Sequence, residues 1–149
     1  MKIFPKLAAF FLGVAASAGP LVCPEFPDPL DLRDAGVRGD TRLLRLTHYF
    51  RYVNAVYGTI TVPTGFVTDG ASIPKVFWPI LGPQGQWFYA AIIHDFLYSK
   101  ASNSHFKVTR WEADEIFLEA MTSLKVPWVK RVAIYQAVRM FGWTAFKKQ

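Results

Sequence analysis

Between Thr41 and Thr68, apolar and polar positions follow a two-residue rhythm. Leu44, Leu46, Tyr49, Phe50, Tyr52, Val53, Val56 and Tyr57 fall in near alternation, Gly58 interrupts them, and Thr59-Ile60-Thr61-Val62 resumes the pattern. Successive side chains of a strand point to opposite faces, so this rhythm predicts half-buried strands meeting in a hairpin. Pro63-Thr64-Gly65 reads as a turn and Phe66-Val67-Thr68 as a short third strand.

From Trp87 the rhythm lengthens. Trp87 to Lys100 is almost unbroken in apolar residues and too long for a strand, and His94 and Tyr98, four apart, share one helical face. Thr109-Arg110-Trp111-Glu112 has capping-box spacing, which predicts a helix through Asp114, Phe117, Leu118 and Met121. Pro127 stands where a first helical residue would, and Trp128 to Phe146 carries Val132, Tyr135, Val138 and Phe141 at helical spacing. The fold class expected is α+β, a small N-terminal antiparallel strand region followed by three packed helices.

Ahead of the strands, Pro24, Pro27 and Pro29 lie among acidic and small residues, so residues 19–40 read as an extended proline-rich leader. Residues 1–18 read as an export signal: Lys2 and Lys6, the apolar stretch Leu7 to Ala16, and the small-x-small site Ala16-Ser17-Ala18. That stretch falls well short of the roughly 20 residues of a membrane-spanning helix. The expected location is therefore periplasmic or secreted, with an uncleaved membrane anchor as the alternative. Residues 41–149 remain as a single globular domain. Cys23 is the only cysteine, which excludes an intramolecular disulfide, and Pro20-Leu21-Val22 before it lacks the small residues of a lipoprotein signal.

Hydrophobic residues make up 52% of the 149 and aromatics 16%, which excludes a disordered chain. The net charge of +6 favours anionic surfaces, yet no three basic residues are consecutive. Membrane phospholipid or another cell-envelope component is thus the expected partner, and nucleic acid is not; oligomeric state leaves no trace in the sequence.

The candidate chemistry lies in His94-Asp95-Phe96-Leu97-Tyr98 and Ala113-Asp114. Polar side chains in so apolar a setting are costly to bury. A histidine, an adjacent carboxylate, a tyrosine one turn on and a carboxylate from a facing helix can build a hydrolytic site, whether for ester, amide or phosphate bonds. They can equally form a structural His94–Asp114 pair holding two helices together. Asp69 either caps the Gly70-Ala71-Ser72 turn or joins Asp95 as a metal ligand. His48 and His105 read as incidental, and Trp78, Trp87 and Phe88 as core. Ser72 lacks the following glycine of a nucleophile elbow, and no phosphate loop, zinc-type cluster or dinucleotide fingerprint occurs.

Two resemblances follow. Val62-Pro63-Thr64-Gly65-Phe66-Val67-Thr68-Asp69-Gly70-Ala71-Ser72-Ile73-Pro74, Ala90-Ala91-Ile92-Ile93-His94-Asp95 with Tyr98, and Ala113-Asp114 with Phe117 and Met121 resemble the uncharacterised phage and bacterial domain family numbered 1353, over about Thr41 to Gly142. This implies a phage or prophage setting and almost nothing about chemistry. His-Asp-x-x-Tyr followed by Ala-Asp-x-x-Phe is also similar to the secreted phospholipase A-two pattern. That similarity implies His94 as general base, Asp95 as calcium ligand, Asp114 as the carboxylate orienting His94, and Tyr98 as a hydroxyl steadying Asp114. The usual glycine-rich calcium loop is not present; the nearest segment is Leu81-Gly82-Pro83-Gln84-Gly85. The competing class is a non-enzymatic phage structural or accessory protein that docks through Lys130, Arg131, Arg139, Lys147 and Lys148.

Overall fold

The computed structural model describes residues 25–39, 41–70, 85–102 and 106–146. The expected signal segment, Cys23, Ser72, Trp78, His105, Lys147, Lys148 and most of the Gly82 loop lie outside the described residues. Among the described residues five strands precede three helices: β1 (Leu32–Arg38), β2 (Thr41–Leu46), β3 (Phe50–Asn54), β4 (Gly58–Val62), β5 (Val67–Thr68), α1 (Trp87–Tyr98), α2 (Arg110–Ser123) and α3 (Trp128–Phe141). The fold is α+β. β1, β2 and β5 form one antiparallel sheet in the order β1-β2-β5, and β3 pairs with β4 in a separate antiparallel hairpin.

The alternating run from Leu44 to Tyr57 is therefore two strands in two sheets. β2 stays in the first sheet to its end, where the Leu46 amide bonds the Phe66 carbonyl at 3.0 Å and the Thr47 amide bonds the Asp31 carbonyl at 3.2 Å. The chain then bends at Thr47 and His48 and enters β3. The proline-rich leader is also more structured than its composition indicates. Its last residues form β1 once the prolines have passed, with a register shift between Asp34 and Val37 where Gly36 takes φ +93°. Phe26 is buried against Phe50 and Tyr52. Asp28 clasps the Arg51 guanidinium through both carboxylate oxygens, at 2.8 and 2.7 Å. These contacts dock the segment onto the hairpin.

On the β3–β4 hairpin, Phe50, Tyr52, Ile60 and Val62 point inward, as strand alternation requires. They pack with α1, which is buried on nearly every side and is accordingly apolar all round. Each buried large apolar side chain contributes about 1.5–3 kcal/mol relative to exposure. α2 adds Ala113, Ile116, Phe117, Ala120 and Met121, and α3 adds Ile134, Ala137 and Val138. The capping box forms as the sequence predicts: Thr109 Oγ1 accepts from the Glu112 amide at 3.2 Å, and Glu112 Oε2 accepts from the Thr109 amide at 2.7 Å. Pro127 occupies the N-cap of α3, one position ahead of the first helical residue. That helix stops at Phe141 instead of reaching Phe146. A 3-10 turn follows over Gly142–Thr144, where Gly142 lies so close to the Tyr98 hydroxyl that a Cβ would sit 2.7 Å from it. Among the described residues no helix is long and apolar enough to cross a membrane.

Candidate functional site

α1 carries His94 and Tyr98 on one ridge, and this ridge meets Asp114 on α2, as their spacing predicts. His94 Nε2 lies 3.0 Å from Asp114 Oδ1, and the Tyr98 hydroxyl donates to the same oxygen at 2.5 Å. Asp114 Oδ2 accepts from Arg139 Nη1 of α3 at 2.7 Å. One carboxylate thus ties three helices, and Arg110 Nη1 adds a bond to the Arg139 carbonyl at 3.2 Å. The His94 ring stacks on Phe117 and lies against Tyr98, with centroids 4.6 and 4.0 Å away. His94 is 1% exposed and Asp114 0%.

Burial would raise the Asp114 carboxyl, but the hydrogen bonds from His94, Tyr98 and Arg139 outweigh it and hold the group below the ordinary carboxylate range. Burial, and then the negative Asp114 beside it, push the Tyr98 phenol far above its usual value. Since the carboxylate accepts, Nε2 carries the imidazole proton. His94 Nδ1 is buried and has no hydrogen-bond partner among the described residues. Nearly all buried polar atoms find a partner, so an orphan at the centre of a polar network is a functional clue.

Asp95, the next residue, points to a different side of α1. Thr68 of β5 donates its hydroxyl to Asp95 Oδ2, and the Gly70 amide donates to Thr68 Oγ1 at 3.0 Å. Gly70 sits at φ +62°, where a Cβ would meet the Phe88 ring at 2.5 Å; glycine is required by both conformation and space. Asp69 and Asp95 line a cavity of about 260 Å³, together with Thr68, Tyr98, Ser99 and Arg38. Tyr98 connects the two regions, lining this cavity while its hydroxyl holds Asp114.

The two carboxylates expected to hold a metal thus share one cavity wall. Among the described residues, however, no group of three or more His, Cys, Asp or Glu side chains could hold a metal ion. Calcium takes six to eight oxygens. Asp69 and Asp95, the latter with one oxygen already bonded to Thr68, do not complete such a site, and no chemical step is assigned to a metal.

His48 lies on the surface with Nδ1 3.0 Å from Thr47 Oγ1 and takes no part in either cluster. Trp87 and Phe88 are core, as expected. Arg139, read from the sequence as a surface cation, is instead the third partner of Asp114. Thr68 is the other residue that sequence reasoning missed, since a threonine in a strand carries no sign of the carboxylate it will meet.

The ordered motifs that build this site are also those of a known family. The profile described as "Protein of unknown function (DUF1353)" matches residues 44–138. The chain belongs to this family. It is similar to "Uncharacterized protein y4jT" of Sinorhizobium fredii (strain NBRC 101917 / NGR234), with 39% identity over 88 residues that cover 56% of this chain and 24% of that protein. The chain thus spans about a quarter of the relative's length. No solved structure matches. The family assignment accounts for β2 through most of α3, and so for His94, Asp95, Tyr98 and Asp114, while leaving their chemistry open.

Proposed function

We propose that this DUF1353 domain is a hydrolase in which His94, oriented by Asp114 and Tyr98, is the general base, with the ester bond of an envelope phospholipid as the leading substrate class. One observation carries the reading. His94 has one ring nitrogen fixed by a carboxylate and the other without a partner among the described residues, which is the arrangement a base acting on water needs. In the reaction, Nδ1 takes a proton from water as its oxygen attacks the ester carbonyl carbon. The carbon–oxygen bond to the leaving alcohol then breaks, and the alcohol oxygen receives the proton back from Nδ1. The cavity lined by Asp95 and Tyr98 is the concave space assigned to the substrate, because Tyr98 joins it to the Asp114 oxygen that His94 also contacts.

A second reading is favoured by the burial of His94 and by the Arg139 ion pair: the cluster is a three-helix clasp in a non-enzymatic phage or prophage protein. A single experiment separates the two. The purified protein is incubated with phospholipid vesicles, with and without calcium, beside peptidoglycan and phosphodiester controls. Turnover that falls by about 100- to 10,000-fold in a folded His94→Ala variant supports the base. Hydrolysis of none of these substrates rejects it. Calcium dependence that is lost in Asp95→Asn would assign Asp95, with Asp69, to a metal site requiring further ligands. Export belongs to the same proposal, and a mature chain beginning at Gly19 by mass spectrometry is its test.

A further inference from the structure

The first 124 residues carry 11 basic and 11 acidic side chains, so they are neutral on balance. Residues 125–149 hold Lys125, Lys130, Arg131, Arg139, Lys147 and Lys148 and no acid, so the whole +6 of the chain resides there. α3 occupies most of that segment and buries only Ile134, Ala137 and Val138. Its outward side is not polar, as a solvated helix face would be. Trp128, Val129, Val132, Met140, Phe141 and, on the following turn, Trp143 are exposed, with the two tryptophans at 68% and 69%. Trp128, Val132, Gln136, Met140 and Trp143 follow spacings of four, four, four and three, which places them along one side of the helix.

We infer that the outward face of α3 is a docking surface for anionic phospholipid. An interfacial helix lays tryptophan and aliphatic side chains into the boundary between headgroups and acyl chains, while neighbouring lysines and arginines meet the lipid phosphates. Trp128 and Trp143 mark the two ends of the exposed side, as amphipathic rings do at a membrane interface. The charge complementarity favours this segment, since the preceding 124 residues are neutral in sum. The 3-10 turn that carries Trp143 also brings Ala145 to the cavity wall, so a docked α3 sets that cavity near the lipid headgroups. This inference does not rest on the hydrolase reading. Binding is measured without turnover, and a catalytically inert protein can satisfy it.

The test is sedimentation of the full chain with phosphatidylcholine vesicles and with vesicles containing phosphatidylglycerol, at low and high salt, with tryptophan emission recorded alongside. The expected result is binding to the anionic vesicles only, a blue shift in emission, and release by salt. Lys130→Glu with Arg131→Glu should weaken binding at least about tenfold, since each cation near such a surface contributes on the order of 1 kcal/mol, or about fivefold. Trp128→Ser with Trp143→Ser, both at exposed positions, should weaken it without altering the far-ultraviolet circular dichroism. Absence of binding, or binding that survives both double variants, overturns the inference. So does retention by duplex DNA in place of vesicles, or a dimer that the tryptophan variant dissociates, because either gives the face to another occupant.

Discussion

Replacing Asp114 by Asn tests the centre of the fold directly. The substitution keeps the volume but removes the charge, and it exchanges one acceptor oxygen for an NH2 donor. In the native protein Oδ1 accepts from His94 and Tyr98 while Oδ2 accepts from Arg139. Turned toward Arg139 the amide NH2 faces an obligate donor; turned toward His94 and Tyr98 it is satisfied only if the hydroxyl rotates to accept or the imidazole moves its proton to Nδ1, and either way the charge-assisted bonds are lost. Hydrogen bonds to charged groups contribute about 1.5–3 kcal/mol each, and breaking a buried ion pair from one side costs about 3–5 kcal/mol. The Arg139 side chain is 28% exposed, so water relieves part of its loss. The expected destabilisation is therefore about 3 kcal/mol, near the lower end of that range. Urea unfolding followed by tryptophan emission should show the midpoint falling with the slope unchanged. In a thermal melt the same loss is about 6–12 °C for a chain of this size. Arg139→Gln should cost less, about 1–2 kcal/mol, and the double variant should cost less than the sum of the two, since they share one interaction. A loss below about 1 kcal/mol in Asp114→Asn, or strict additivity with Arg139→Gln, would refute the view that this carboxylate holds the three helices together.

Acid should remove the same contribution. Because the folded Asp114 carboxyl lies below its ordinary value, the unfolded chain binds the proton more readily, and stability rises with pH between the two values. The stability gap between wild type and Asp114→Asn should be full above the unfolded value of about 3.9 and close as pH falls through the folded one, measured by urea melts across that window. Thr109→Ala should lower stability by about 1 kcal/mol through loss of the α2 cap, read as a thermal shift of a few degrees. Gly142→Ala should displace the Tyr98 hydroxyl from Asp114, because the new Cβ falls 2.7 Å from it; a loss of about 1–3 kcal/mol by urea unfolding is expected, and a neutral result would mean that the turn moves freely.

The parts of the fold legible in the sequence are those where burial imposes a period. The β3–β4 hairpin and the three helices each carry an apolar face, and each was visible as a rhythm. β1 was not, because six of its seven residues in Leu32–Arg38 are polar, glycine, alanine or otherwise largely exposed, and its place in the sheet is fixed by backbone hydrogen bonds to β2. Backbone bonds are available to any residue but proline, so they leave no mark on composition. The break between β2 and β3 was hidden for a related reason. Tyr49 continues the aromatic rhythm but is exposed, so the pattern ran across the bend at Thr47 and His48, just past the last backbone bonds that hold β2 in its sheet.

At the site, the pairing of His94 with Asp114 was legible because polar groups in an apolar helix must find partners. Arg139 was not, and the omission changes the chemistry. With two members, the pair would ask the histidine to balance a buried negative charge. Arg139 already supplies that countercharge at 2.7 Å, so Asp114 needs from His94 only a hydrogen-bond donor, which Nε2 provides. The second nitrogen can then remain a lone pair, and Nδ1 is the ring atom left without a partner among the described residues. The arginine that makes the cluster a structural clasp is thus also compatible with the proposed role of His94 as a base. Under the proposed hydrolase reading, stability and activity are separable in principle: Arg139→Gln should lower both, whereas His94→Gln, which retains a donor to Asp114 and has no imidazole lone pair, should spare much of the stability and remove the proposed turnover.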